Sequence, residues 1–148
     1  MGKIIGIATR KKTKAQMDEH SDAVISFQGG VGQDSRGKKQ GKRQVTIMTL
    51  ENWHLTCKEL GQEIPWTTRR ANILIEGLDL KDKTGQKLRI GTALVEITGE
   101  LEPCNRMDKQ FEGLTQILEK DWRGGVTCKL LEEGKVHLND KVELVINT

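Results

Sequence analysis

Three cysteines, three histidines and several arginines in short polar motifs are the residues of this chain best able to do chemistry. Cys57, Cys104 and Cys128, with His20, His54 and His137, show no Cys-x-x-Cys or His-x-x-x-His spacing, so a structural zinc site is not expected. Gly29-Gly30-Val31-Gly32 is glycine-rich, but no Lys-Ser/Thr follows in register and no helical pattern follows it. That excludes a phosphate-cradling P-loop and a dinucleotide fingerprint, and leaves a turn able to touch a ligand. Neither a Gly-x-Ser-x-Gly elbow nor a pair of catalytic carboxylates is visible, so ordinary hydrolase chemistry has no carriers.

The three thiols have different settings. Cys57 lies on the apolar stripe of a helical pattern and Cys128 alternates with Val126 and Leu130 on a strand pattern, so both are expected to be small buried hydrophobes. Cys104 follows Pro103 after a strand run and precedes Asn105 and Arg106, a polar loop that gives a thiol little reason to pack. A guanidinium nearby would favour its thiolate, the form that attacks, carries sulfur or binds a soft metal. Two arginine motifs stand out: Arg69-Arg70-Ala71-Asn72, which opens a strand, and Arg123-Gly124-Gly125, where glycines let a ligand approach the backbone. With Arg43 they offer fork-shaped donors suited to phosphate or carboxylate, surface ion pairs being the alternative reading of each.

The elements that must position these residues read as mainly β. Strand patterns recur at Lys3–Thr9, Ala23–Phe27, Gln44–Thr49, Asn72–Ile75, Lys87–Ile90, Ala93–Thr98, Val126–Leu131, Lys135–Leu138 and Lys141–Ile146, most of them separated by turn signals. This spacing suits a barrel or sandwich and not alternating βαβ units. Two segments carry helical spacing instead. Thr49 is a plausible N-cap for a stripe of Leu50, Trp53, Cys57 and Leu60 ending at Gly61, and Asp108 for a stripe of Phe111, Leu114, Ile117 and Leu118 ending near Trp122.

The 148 residues are expected to form one domain spanning 1–148. Charge is uneven: residues 1–50 hold 10 Lys+Arg against 4 Asp+Glu, whereas the whole chain is only +3. The excess lies in Arg10-Lys11-Lys12-Thr13-Lys14 and in the Gly-rich run from Arg36 to Arg43, either a solvated loop or a landing surface for a small anion. The first eight residues hold too few apolar positions for a secretory signal, Gly6 stands where a myristoylation motif wants Ser or Thr, and no run is long enough to span a membrane. An odd, unpaired cysteine count fits a reducing compartment, so a cytoplasmic location is expected.

Taken in order, Arg43-Gln44-Val45, Arg70-Ala71-Asn72-Ile73, the run from Ile90-Gly91-Thr92-Ala93 to Ile97-Thr98-Gly99, Pro103-Cys104, Arg123-Gly124-Gly125-Val126 and Asn139-Asp140-Lys141-Val142 resemble the MOSC family, the molybdenum cofactor sulfurase C-terminal domain. The resemblance covers about residues 28 to 146. It implies a closed or partly open β-barrel with about two short helices, and a reactive cysteine, matched by Cys104, that ligates molybdenum or carries a persulfide. It also implies that Arg43, Arg70, Asn72, Arg123, Gly124 and Gly125 line the cleft for the anionic pterin of the molybdenum cofactor (molybdopterin). Many members carry Gly-Asp-x-His in the glycine loop where this chain has Gln33-Asp34-Ser35-Arg36, so the role of that loop stays open. No pyridoxal-phosphate site is expected in this chain.

Two subclasses follow from the resemblance. One is a molybdenum-cofactor oxidoreductase acting on N-hydroxylated compounds with a redox partner protein; the other is a sulfur-transfer protein served by a separate cysteine desulfurase. A basic β-barrel binding nucleic acid is the rival from another class, disfavoured because no Tyr, two Phe and three Trp leave few rings for bases to stack on. A non-catalytic interaction domain is the third reading.

Overall fold

The computed structural model describes residues 2–12, 15–103 and 106–145. Eleven strands appear among them: β1 (Gly2–Thr9), β2 (Asp18–Glu19), β3 (Asp22–Ser26), β4 (Gly30–Val31), β5 (Val45–Thr49), β6 (Ile73–Glu76), β7 (Lys87–Ile90), β8 (Ala93–Glu100), β9 (Val126–Glu132), β10 (Gly134–His137) and β11 (Lys141–Val145). The helices are α1 (Leu50–Leu60), α2 (Arg106–Gln110) and α3 (Leu114–Leu118). The nine expected strands are all present within a residue or two; β2 and β4, two residues each, carry no alternation to be read from.

Strands pair in the order β11-β7-β8-β9-β5-β6-β1, and β1 pairs back onto β11 through Gly2 with Val142 and Lys3 with Lys141. The seven strands thus form a closed barrel, which leaves no long unpaired edge among them. β2 extends from β1, and β10-β3-β4 form a small separate sheet. β5 and β6 are parallel neighbours, and α1 is the crossover that parallel pairing requires.

Two apolar layers hold the fold. Inside the barrel, Ile4, Ile7, Val45, Ile47, Ile73, Ile75, Val95, Ile97, Val126 and Cys128 belong to one buried cluster. Ile4 and Ile7 cannot share a face in strict alternation; a register shift between Ile4 and Gly6 turns both inward. Outside the wall, Met48 and Leu74 pack with Trp53 and Cys57 of α1 and Leu114 and Leu118 of α3. β5 lies between the layers, which is why all five of its residues are buried. The expectation that Cys57 and Cys128 serve packing holds, at 2% and 0% exposure.

α1 begins and ends as its sequence implies. Thr49 Oγ1 accepts the Asn52 N–H at 3.2 Å, and Gly61 closes the helix in the left-handed conformation. The second helical stripe divides into α2 and α3. Gly113 is left-handed at φ 87, and Asp108 Oδ1 accepts the Thr115 N–H at 2.9 Å, serving the second short helix instead of starting a long one.

Candidate functional site

β6 is entered through a 3-10 turn, Trp66–Arg69, that stops at Arg70 with φ 67 and ψ 28. A left-handed non-glycine residue is uncommon, and here it sends two adjacent guanidinium groups in different directions. Arg69 turns inward, donating from Nη2 to the Leu101 carbonyl at 2.6 Å and from Nε to the Gly124 carbonyl at 3.1 Å. Arg70 donates to the Ala15 carbonyl and faces Asp34; burial lowers its pKa from the ordinary arginine value and Asp34 opposes that shift.

Asp34 ties the two basic runs together. Its carboxylate is 2% exposed and accepts the Arg10 N–H at 2.7 Å and the Arg36 N–H at 3.1 Å, while the Ser35 N–H donates to the Arg10 carbonyl at 2.8 Å. Ser35 Oγ beside it is buried with no hydrogen-bond partner among the described residues. Gln44 fixes the glycine-rich loop by donating from Nε2 to the Phe27 carbonyl at 2.6 Å and the Gly37 carbonyl at 3.0 Å. The Lys42 carbonyl accepts from Thr98 Oγ1 at 2.6 Å, which brings the loop of exposed Arg43 across to β8.

Asn72 is 5% exposed and joins three strands. Its Oδ1 accepts from Thr46 N–H at 3.3 Å and Thr46 Oγ1 at 3.1 Å, and its Nδ2 donates to the Ala8 carbonyl at 3.2 Å. Arg43, Arg70 and Asn72 therefore share the barrel end where β5 and β6 begin. Arg123 points elsewhere. It lines a cleft of about 390 Å³ with Thr49, Asn52, Lys81 and Asp121, where β5 and β6 finish, and its Nη1 lies 2.8 Å from Glu59 Oε1. Arg70 thus bonds the Ala15 carbonyl at one end, and Arg123 pairs with Glu59 at the other.

Gly124 and Gly125 act through the backbone. A Cβ on Gly124 would lie 2.7 Å from the Leu101 oxygen, and Leu101 N–H donates to the Gly125 carbonyl at 2.8 Å. The chain leaving β8 toward Pro103-Cys104 is thus seated against Arg123-Gly124-Gly125. Cys104 and Asn105 themselves, like Lys14 and Ile146, lie outside the described residues. Arg69 is the participant that the sequence motif contained but did not single out; its signal was the Arg-Arg doublet ahead of a strand. Asp34, between two basic runs, had a similar one.

The ion pairs around Arg123 give a pH test. Hydrogen bonding from Lys120, then from Arg123, holds the Glu59 carboxyl below its ordinary value. A lowered folded-state pKa contributes stability that is present above the unfolded value and lost as pH falls through the folded one. The urea midpoint of wild type should therefore exceed that of Glu59→Gln at about pH 6, with the gap narrowing as pH falls below the unfolded glutamate value of about 4.3 and on through the lower folded one.

No helix among the described residues is long and apolar enough to cross a membrane, and no cluster of three or more His, Cys, Asp or Glu there has metal-holding geometry. The MOSC domain model matches residues 26–143. The fold is similar to the YuaD protein from Bacillus subtilis, with TM-score 0.80 and 17% identity over 97% of this chain and 96% of that one. YiiM from Geobacillus stearothermophilus aligns with TM-score 0.78 and 18% identity over 99% of this chain and 76% of its own. YiiM from Escherichia coli gives 0.73 and 16% over 99% and 71%. No curated protein is similar enough in sequence to match the chain.

Proposed function

Because the chain belongs to the MOSC domain family, we propose that it is a molybdenum-cofactor-binding or sulfur-carrying protein whose working atom is the sulfur of Cys104. The observation that supports this most is the basic barrel end: the buried Asp34 carboxylate accepts backbone N–H groups from Arg10 and Arg36, one in each basic run, and is faced by Arg70, with the Ser35 hydroxyl beside it unpartnered among the described residues. Asp34 balances one charge there, and the remaining cationic side chains of the two basic runs suit an anionic group. At Arg123 the fit is poorer, since Glu59 already takes up its charge.

In this reading Arg70, with Arg43 at the rim, holds the phosphate of the pterin. Asn72 keeps Thr46 and Ala8 in register beneath it, and Gly124-Gly125 shape the wall along which the Cys104 segment arrives. When bound, the cofactor supplies a metal centre able to take a soft thiolate ligand. In the carrier form no metal is needed. The Cys104 thiolate attacks the outer sulfur of a desulfurase persulfide, the donor's S–S bond breaks, the donor leaves as thiolate, and Cys104 gains one sulfur. The same thiolate serves both forms, and positive side chains near it favour that state. A redox partner would serve the first form and a cysteine desulfurase the second, both in the cytoplasm; neither form needs a membrane or nucleic acid.

Protein purified from a cofactor-producing host tests this by metal analysis, pterin fluorescence and intact mass. Stoichiometric molybdenum that disappears in Cys104→Ser is the result expected for the ligand form. A reducible, desulfurase-dependent adduct of one sulfur, about 32 Da, on Cys104 without metal is expected for the carrier form. Neither pterin, molybdenum nor adduct in wild type would overturn the proposal.

A further inference from the structure

The cleft of about 390 Å³ lies where β5 and β6 finish, at the opposite end of that seam from Arg70 and Asn72. Its lining carries both signs of charge, Glu51, Asp79 and Asp121 against Lys81 and Arg123. Arg123 lines it while only 8% exposed, and its Nε is buried without a hydrogen-bond partner among the described residues. Glu59 answers the charge of Arg123 through Nη1 and leaves that Nε–H unused. A buried guanidinium N–H lacking an acceptor is costly, and an acceptor brought into the cleft would remove that cost. Lys81 and Asp121 pair with each other at 2.8 Å nearer the surface, with 41% and 67% of their side chains exposed. Glu51 Oε2 accepts the Gly77 N–H at 2.8 Å and Asp79 Oδ1 the Lys81 N–H at 3.1 Å, so backbone holds both carboxylates in place. The first turn of α1 opens here as well, through Thr49, Glu51 and Asn52, and Leu55 and Leu78 add an apolar wall.

Three carboxylates oppose a plain anion, and the buried guanidinium opposes a plain cation. A ligand with both signs meets neither objection. We propose that this cleft binds a small zwitterion, a free α-amino acid with an aliphatic side chain. Its carboxylate accepts from Arg123 and from the first turn of α1, where backbone N–H groups lack intrahelical partners and the helix dipole favours negative charge. Its ammonium faces Asp79 and Asp121, and its side chain rests on Leu55 and Leu78. With Glu59 beside Arg123, the guanidinium offers a hydrogen-bond donor more than a net charge, which suits a carboxylate that carries its own cation. The site shares no residue with the basic barrel end and stands apart from the reading of Cys104.

The test uses the whole chain labelled with nitrogen-15, whose proton–nitrogen spectra report the Arg123 Nε–H and the Asn52 side-chain amide directly. L-leucine is expected to shift both signals saturably, with half-saturation at about 1 mM. Acetate, n-butylamine and inorganic phosphate each lack one half of the recognition and are expected to bind about tenfold more weakly or worse. Asp79→Asn, at an exposed position, should weaken leucine by about tenfold and leave acetate unweakened. Arg123→Lys keeps a cation opposite Glu59 but not the planar fork, and should weaken leucine and acetate alike by about tenfold. If Arg123→Lys fails to fold, Asp79→Asn decides alone. No saturable shift at Arg123 by about 50 mM leucine overturns the proposal. So does acetate or phosphate binding as tightly as leucine, which marks a site for anions, or n-butylamine doing so, which marks one for cations. Unchanged leucine binding in Asp79→Asn overturns it too.

Discussion

Gly125→Ala is expected to destabilise the protein by about 4 kcal/mol, enough to lower the melting temperature by about 10 °C or more in a chain of this size. Two penalties combine. Gly125 has φ +100, a conformation that L side chains rarely adopt, and a Cβ there would stand 2.3 Å from the Ile47 carbonyl oxygen and 3.1 Å from Met48 Cβ. Ile47 and Met48 are fully buried on β5, between the barrel interior and the helix layer, so neither can retreat. Gly85→Ala is the control. It also has positive φ, at +89, but nothing lies within 4 Å of its Cβ, so only the backbone penalty of about 1–2 kcal/mol applies. Thermal unfolding of both variants isolates the contact term; equal losses would show that Gly125 is kept for its backbone angle alone.

The barrel was legible because its signal is local. Alternation in Lys87–Ile90 and Val126–Leu131 marks strands whatever they pair with, and Thr49 and Gly61 bracket α1 through hydrogen bonds made within a few residues. The bulge that turns both Ile4 and Ile7 inward depends on the partner strand, so alternation along β1 alone does not foretell it. The site was legible in its motifs and not in its geometry. Arg70 and Asn72 are two residues apart, and the sequence gives no hint that Arg70 is left-handed and therefore parts company with Arg69. Arg123 reads as a ligand contact by its glycines, yet its charge is drawn to Glu59, 64 positions earlier in the chain, across a tertiary contact with no sequence signature. Asp34 stands in a glycine-rich loop whose local pattern says only "turn", while its carboxylate gathers backbone from Arg10 and faces the guanidinium of Arg70.

Asn72→Leu separates the two tasks that a polar residue at this position can have. If the side chain mainly met a ligand, its loss in the unliganded protein would cost little, since a buried apolar group of similar size replaces it. The observed bonds imply the opposite. Thr46 N–H and the Ala8 carbonyl would lose their partner on the Asn72 side chain, and the Thr46 hydroxyl would lose its acceptor while still receiving the N–H of residue 72, at a depth where Thr46 and Asn72 are each 5% exposed. Orphaning a buried polar group costs about 1–3 kcal/mol. Allowing for partial relaxation, the variant should lose about 3–4 kcal/mol in urea unfolding with an unchanged denaturant slope. Thr46→Val removes the hydroxyl on the other side of the pair, and combining it with Asn72→Leu should cost less than the two separate losses added, by about 1 kcal/mol, since the double variant leaves fewer orphaned groups. Additive losses would mean that Asn72 and Thr46 do not act as one unit. The parallel seam between β5 and β6 is where this matters most, because Ile47 pairs with Ile73 one residue beyond the Asn72–Thr46 bonds. A slip there would move Arg43 and Arg70 relative to each other, so the same hydrogen bonds that stabilise the barrel also fix the spacing of the cations proposed to take the phosphate.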